Sequence, residues 1–93
     1  MQTQNPLAEM KRNRRDNFQI VSDILSCAAK GVSKAALMYK AGLSSTQMDK
    51  YVEVLLRSEL LEVLPAEAKH VYKTMTKGKI FLKTFGELAR IID

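Results

Sequence analysis

The chain has 93 residues, of which 46% are hydrophobic and 27% charged, and its formal net charge is +5. This length supports one domain with a single modest core, and no run approaches the roughly 18 apolar residues that a membrane span requires. The only cysteine, Cys27, excludes an internal disulfide, and the only histidine, His70, has no zinc-ligand partner at a suitable spacing. We therefore expect a cytoplasmic globular protein without a cofactor, metal or small-molecule ligand.

The N-terminus is strongly basic. Residues 1–15 carry a net charge of +3, from Lys11, Arg12, Arg14 and Arg15 against a single glutamate. Residues 1–13 lack a hydrophobic period and contain the pair Asn5-Pro6, which is typical of loops. These features predict a flexible basic arm over residues 1–13, followed by one folded domain over residues 14–93.

Two helical patterns come first in the domain. Residues 14–30 predict the first helix, because their apolar side chains recur at steps of three and four. Gly31 suits a left-handed helix end, and Val32-Ser33 predicts a short extended link. Ser33 has the side chain of an N-cap for a second helix over residues 34–41. In that helix the residues expected to face the core are Ala35, Leu37 and Met38.

A sharp turn separates the second and third helices. Gly42 ends the second helix, because a residue without Cβ adopts positive φ at little cost. Ser44 then provides an N-cap, and Gln47 three positions later completes the pattern of a capping box. The third helix, over residues 44–58, has one apolar and one polar face. The inward residues are Met48, Tyr51, Val52, Leu55 and Leu56, and the outward residues are Thr46, Lys50, Glu53 and Arg57.

Alternating hydrophobicity after the third helix predicts a β-hairpin. Residues 61–63 form its first strand, residues 65–69 its loop and residues 71–74 its second strand. Thr76 is expected to cap a last helix over residues 76–93, whose apolar side chains exceed what one small core requires. These side chains are Ile80, Phe81, Leu82, Phe85, Leu88, Ile91 and Ile92.

This order of elements predicts a winged helix-turn-helix fold, mainly α with a small β-hairpin (α+β). In such a fold the third helix presents its N-terminal residues to base edges in the major groove of DNA. Small hydroxyl and amide side chains at that end allow close approach to the bases. Residues 24–48 also contain three lysines and no acid, which predicts a rim free of carboxylates beside this end.

Several segments carry a family resemblance. They are residues 33–44 (SKAALMYKAGLS), Gln47-Met48, Lys50-Tyr51, Leu55-Leu56, Leu60-Leu61 and residues 72–78 (YKTMTKG). The chain resembles the archaeal winged-helix regulators, a family that includes small DNA-binding proteins of the nucleoid, over residues 17–88. The resemblance implies a homodimer that binds double-stranded DNA, with the third helix in the major groove and the wing beside the minor groove.

These arguments assign candidate roles to four groups of residues. Base contacts are predicted for Ser45, Thr46 and Gln47. Phosphate contacts are predicted for the lysines Lys34, Lys40, Lys50 and Lys69, and for the helix starts at Ser33 and Ser44, where backbone N–H groups and the helix dipole favour anions. Further DNA contacts are predicted in the arm for Lys11, Arg12, Arg14 and Arg15. The predicted dimer interface consists of Leu82, Phe85, Leu88, Ile91 and Ile92.

Plainer interpretations compete with each role. The hydroxyl run can serve helix capping alone, the arm can be a solvated tail, and Lys50 and Arg57 can be solvated charges. Tyr39 and Tyr51 are expected to pack against neighbouring helices.

The main functional alternative is a winged helix that binds another protein instead of DNA, which an exposed Val54 on the third helix favours. Enzymatic activity is not expected, because His70 has no nucleophile or carboxylate at a useful spacing and no glycine loop suits a phosphate. The sequence leaves open whether a DNA-binding protein of this kind represses, activates or coats DNA, and a nucleoid association is one expectation.

Overall fold

The computed structural model describes residues 16–66 and 69–92. The elements, in chain order, are α1 (Asn17–Cys27), β1 (Val32–Ser33), α2 (Lys34–Ala41), α3 (Ser45–Arg57), β2 (Leu61–Ala66), β3 (Lys69–Thr74) and α4 (Thr76–Ile92). The predicted winged helix-turn-helix arrangement of four helices and a hairpin is therefore confirmed. The predicted arm over residues 1–13 lies outside the described residues.

The first helix is shorter than the apolar pattern predicts. Asp16 caps its start, where the side-chain carboxylate accepts a hydrogen bond from the Gln19 backbone N–H at 2.8 Å. The helix ends at Cys27, and Gly31 then adopts a positive φ of 97° in the turn that follows. Glycine suits this turn because its φ is strained for residues with a Cβ.

Residues Val32–Ser33 are extended, as predicted, and they also form a strand, which the sequence pattern does not predict. Val32 pairs with Tyr72 and Ser33 with Val71, both antiparallel. The resulting three-stranded sheet has the order β1-β3-β2, with the hairpin strand β3 at its centre. The sequence pattern misses β1 because two residues show no alternation, and only the distant partner strand makes them extended.

Helices α2 and α3 end with the same hydrogen-bond pattern. At the end of α2, Gly42 has φ 67° and ψ 44°, and the Leu43 N–H donates to the Met38 carbonyl at 3.0 Å. At the end of α3, Glu59 has φ 63°, and the Leu60 N–H donates to the Leu55 carbonyl at 2.9 Å. Both are Schellman-type ends, in which a left-handed residue turns the chain sharply. Glycine occupies the left-handed position at the first end and glutamate at the second.

The core lies between helices α1, α2 and α3 and the sheet. Its buried apolar residues are Ile20, Ile24, Leu25, Ala28, Val32, Leu37, Ala41, Leu43, Met48, Val52, Leu55 and Leu61. Helix α2 contributes less than predicted, because Ala35 is exposed and Met38 is only partly buried. Tyr39 was expected to pack against a neighbouring helix, yet 88% of its surface is exposed. Tyr39 lies on the face of α2 opposite Leu37 and Ala41, which explains its exposure.

The wing hairpin is longer than predicted. Strand β2 continues through Pro65 to Ala66, and β3 begins at Lys69, so most of the expected loop over residues 65–69 is strand. Pro65 pairs in register with His70. A proline has no backbone N–H to donate, but β2 is an edge strand, where proline is tolerated on the side that faces away from the sheet.

Helix α4 is joined closely to the end of β3. The helix begins at Thr76, so this residue is its first helical residue and not the expected cap. Just before it, the buried Thr74 donates its hydroxyl proton to the Leu25 carbonyl at 2.7 Å, and its N–H donates to the Ala28 carbonyl at 3.0 Å. These bonds hold the base of the wing against the end of α1.

An aromatic stack runs along one side of α4. The Phe81 ring lies 6.4 Å from that of Phe18 on α1 and 5.9 Å from that of Phe85. Such centroid distances are typical of favourable aromatic pairs. Beyond Phe85, the exposed apolar side chains of α4 include Leu88, Ile91 and Ile92. Within the described part of the chain, no helix combines the length and the hydrophobicity that a bilayer crossing demands.

Candidate nucleic-acid interface

The core fixes which face of α3 points outward. Met48, Val52 and Leu55 are buried, and burial of each such side chain contributes about 1.5 to 3 kcal/mol. Tyr51 and Leu56 pack partly against the same core. Since rotation of the helix about its axis would expose these residues, the opposite face is held towards solvent. Its exposed members are the predicted Thr46, Lys50, Glu53 and Arg57.

The N-terminal end of α3 carries the predicted capping box. The Ser44 hydroxyl accepts from the Gln47 N–H at 3.2 Å, and the Gln47 side-chain oxygen accepts from the Ser44 N–H at 3.1 Å. Ser44, Ser45, Thr46 and Gln47 are all exposed. The box therefore stabilises the helix start while leaving its side chains accessible.

The box also limits what Gln47 can do chemically. A glutamine reads adenine with its amide oxygen and nitrogen together. In this structure the oxygen of Gln47 already accepts from the Ser44 N–H, so contact with adenine through both amide atoms would have to share or break this bond. Among the residues predicted to contact bases, Ser45 and Thr46 have their side-chain hydroxyls outside the box.

The lysine rim is not free of carboxylates, which corrects the prediction. The Lys34 ammonium lies 2.6 Å from a carboxylate oxygen of Asp49, and the pair joins the first residue of α2 to the first half of α3. The hydrogen bond to Asp49 and the charge of its carboxylate raise the pKa of Lys34 above its ordinary value, so Lys34 is charged at neutral pH. Asp49 comes one residue after the acid-free stretch, and helix packing turns it towards Lys34.

The other candidate cations differ in their surroundings. Lys40 and Lys50 are exposed, and neither forms an ion pair with a described residue. Arg57 pairs with Glu53 at 2.8 Å along the outer face of α3, so this arginine has a local partner. Lys69 begins β3, and the candidate arm residues lie outside the described part of the chain. Ser33 caps α2, where its hydroxyl accepts from the Ala36 N–H at 3.2 Å.

One contact at this interface has no signal in the sequence. The Tyr51 hydroxyl donates to the side-chain oxygen of Asn17 at 2.6 Å, which joins the middle of α3 to the first residue of α1. The residues are far apart in the chain, so no periodicity indicates their contact. The start of α1 is therefore held beside the middle of α3. Within the described residues, no group of histidine, cysteine and acidic side chains could hold a metal ion.

The arrangement of α2, the glycine turn, α3 and the hairpin corresponds to a known family. A family model described as winged helix-turn-helix matches residues 14–93. The chain belongs to this family. No curated protein matches the sequence.

Solved structures share this winged helix-turn-helix fold. Sso10a-2, a DNA-binding protein from Sulfolobus solfataricus, has 23% identity and a TM-score of 0.76, and the match covers 83% of this chain and 81% of that one. The PcaV transcriptional regulator from Streptomyces coelicolor has 14% identity and a TM-score of 0.75, with 92% and 64% covered. NolR from Sinorhizobium fredii has 20% identity and a TM-score of 0.63, with 98% and 96% covered. At these identities the similarity is one of fold.

Proposed function

We propose that this winged helix-turn-helix protein binds double-stranded DNA, as a transcriptional regulator or a nucleoid-associated protein of the cytoplasm. The observation that carries the proposal is the exposed N-terminal end of α3, where Ser45 and Thr46 project from a helix that is fixed by its buried face. A helix presented in this way fits the major groove, and its first residues meet the base edges. Two structural neighbours, Sso10a-2 and PcaV, are named as a DNA-binding protein and a transcriptional regulator.

Phosphate binding is proposed for the cations around this end. Lys50 lies on the outward face of α3, one turn beyond Thr46, and Lys40 lies near the end of α2. Both are exposed, so an approaching phosphate meets them without displacing packed atoms. Lys34 joins them after it separates from Asp49, and a contact with the neighbouring DNA backbone is proposed for Lys69 at the start of β3.

The basic arm is proposed to follow the same DNA. Its last residue before the described fold is next to Asp16, and Asn17 is bonded to Tyr51 of α3. An extended chain spans at most about 3.3 to 3.6 Å per residue, so the five residues from Asn17 back to Arg12 can bridge at most roughly 18 Å. We propose that Lys11, Arg12, Arg14 and Arg15 contact DNA that is bound along α3.

We further propose a homodimer that forms through α4. On a helical projection Phe81, Phe85, Leu88 and Ile92 share one stripe, and the stack from Phe18 continues it onto α1. Phe81 and Leu82 both pack partly against the protein's own core, and Ile91 lies on a different side of α4, so Phe85, Leu88 and Ile92 form the centre of this interface. Sedimentation should detect a dimer, and Leu88→Glu should dissociate it. Arg90→Glu, on the opposite side of the helix, should leave it intact.

DNA binding is tested by fluorescence anisotropy with a labelled random duplex and a duplex from the protein's own genome. Lys50→Ala should weaken binding to both duplexes alike and reduce the logarithmic salt slope by about 0.9, because one phosphate contact is lost. Lys83→Ala, an exposed lysine on α4, removes the same charge away from α3 and should have little effect. Equal losses for the two variants would show only a general charge effect and contradict the assigned face.

Base contacts require a different variant. Thr46→Ala should alter the ratio of affinities for different duplexes, while the salt slope stays unchanged. The Ser44 and Gln47 box remains intact in this variant, so a loss of helix structure does not confuse the result. If Thr46→Ala keeps the wild-type ratio of affinities on duplexes that the wild type distinguishes, Thr46 does not contribute to base recognition.

A second function, binding of a protein partner through α3, is favoured by Val54. This side chain lies on the outward part of α3 and is 49% exposed. A valine gains little beside a phosphate backbone but contributes apolar area to a protein interface. If this function is correct, Val54→Asp abolishes partner binding, and DNA affinity remains weak and similar in the wild type and Lys50→Ala.

A further inference from the structure

Lys34 and Asp49 form an ion pair, but their charges would have opposite effects on a phosphate in the proposed DNA complex. Lys34 is the first residue of α2, and Asp49 is the fifth residue of α3. The two are 15 residues apart, so the contact spans the helix-turn-helix and is not a neighbour effect within one helix. In the DNA complex a lysine at this place is useful to a phosphate, whereas a carboxylate there repels it.

The pair is close but open to solvent. The ammonium and carboxylate lie 2.6 Å apart, while 45% of the Lys34 side chain and 61% of the Asp49 side chain are exposed. Exposed ion pairs contribute little to stability, because solvent and salt screen the attraction. A phosphate that arrives at the start of α2 therefore meets a cation whose present partner is held weakly.

We propose that Asp49 is a positioning residue that holds Lys34 between α2 and α3 in the free protein and is exchanged for a DNA phosphate on binding. The inference rests on the proposed DNA-binding function. The carboxylate keeps the flexible lysine side chain near the groove-facing end of α3, and it competes with DNA for the same ammonium. Asp49 thereby lowers the affinity for DNA of any sequence.

The structure offers a matched comparison for this idea. Glu53 also lies on α3 and also has a cationic partner, but that partner is Arg57 of the same helix at 2.8 Å. A general charge effect predicts that Asp49→Asn and Glu53→Gln both improve DNA binding, with or without Lys34. Competition for Lys34 predicts that only the Asp49 variant depends on Lys34.

The experiment is a double-mutant cycle with a labelled duplex, using Asp49→Asn, Lys34→Met and the double variant. Asp49→Asn should tighten binding by roughly 1.4- to five-fold more in the Lys34 background than in the Lys34→Met background, which is the fold-change equivalent of an exposed ion pair. Glu53→Gln should give the same factor in both backgrounds. In the wild type, salt weakens the phosphate contact of Lys34 and also the ion pair that competes with it, so the two effects partly cancel. In Asp49→Asn only the phosphate contact remains, so the logarithmic salt slope should be steeper than in the wild type.

Three results would overturn the inference, and each has a distinct meaning. Equal effects of Asp49→Asn in both backgrounds would reduce Asp49 to a repulsive charge. Side-chain NMR of Lys34 in the free protein that is identical in the wild type and Asp49→Asn would show that the pair does not form in solution. A wild type that binds neither duplex would refute the proposed function itself, and the exchange with it.

Discussion

Gly78 and Gly86 both lie in α4, and replacement of each by alanine should change the stability of the protein in opposite directions. A Cβ at Gly78 would be well inside contact distance of the Leu60 carbonyl oxygen and only 2.6 Å from the Thr74 side-chain methyl. Among the described residues, a Cβ at Gly86 would meet no atom within 4 Å apart from its chain neighbours and the nearby backbone of α4. The two variants therefore add the same methyl group at a close-packed position and at an unobstructed one.

The expected magnitudes follow from two opposing effects. Alanine in place of a helical glycine stabilises by roughly 0.5 to 1 kcal/mol, because the unfolded chain loses less entropy on folding. Gly86→Ala should show this gain in full. At Gly78 the added methyl group overlaps backbone that belongs to the start of the wing, and overpacking costs typically about 1 to 3 kcal/mol. Gly78→Ala should therefore be less stable than Gly86→Ala by about 1 to 3 kcal/mol.

Urea unfolding followed by far-UV circular dichroism measures this difference, with all proteins at one concentration so that any self-association is constant. In thermal melts the same difference corresponds to roughly 4 to 8 °C per kcal/mol for a domain of this size. If Gly78→Ala proves as stable as Gly86→Ala, the close approach of α4 to the wing is wrong. A loss of stability in Gly86→Ala would instead indicate that a second molecule packs over that side of α4.

Three further predictions concern the turns and the base of the wing, and urea unfolding measures each of them. Glu59→Gly should stabilise the protein by up to about 1 kcal/mol, because glycine relieves the left-handed strain of a residue with a Cβ. Gly42→Ala should destabilise it by about 1 to 2 kcal/mol for the same reason, and effects of the same sign in these two variants would refute the shared helix end. Thr74→Val should cost about 1 to 3 kcal/mol, because the buried Leu25 carbonyl loses its donor, and an unchanged midpoint would show that this bond contributes nothing.

Local sequence signals predicted the helix-turn-helix well. Gly42, Ser44 and Gln47 contact residues within five positions of themselves. Their roles in the left-handed turn and the capping box can therefore be predicted from the local sequence. The inward stripe of α3 was predicted for the same reason, since one helix has a fixed period. Glu59 adopts the same left-handed conformation as Gly42, but its residue type gives no such signal.

Contacts between distant segments were not predictable in this way. Strand β1 exists because β3 pairs with it, and the Lys34–Asp49 pair exists because two helices cross at one angle. The absence of acids from residues 24–48 predicted that Lys34 is free to bind a phosphate, whereas a carboxylate from the next helix already binds it. Tyr39 was expected to pack against a neighbouring helix, although its face of α2 points outward.

Ser33 belongs to two units at once, because it pairs with Val71 of the hairpin and also caps α2. A tilt of the hairpin therefore pulls directly on the first turn of the helix that supports α3. In the proposed DNA complex this linkage would set the separation between the hairpin and α3 before a duplex binds, so little ordering entropy would be lost on association. If the proposed function is correct, the protein would act as a stiff template, and a duplex whose grooves do not match its spacing would have to deform.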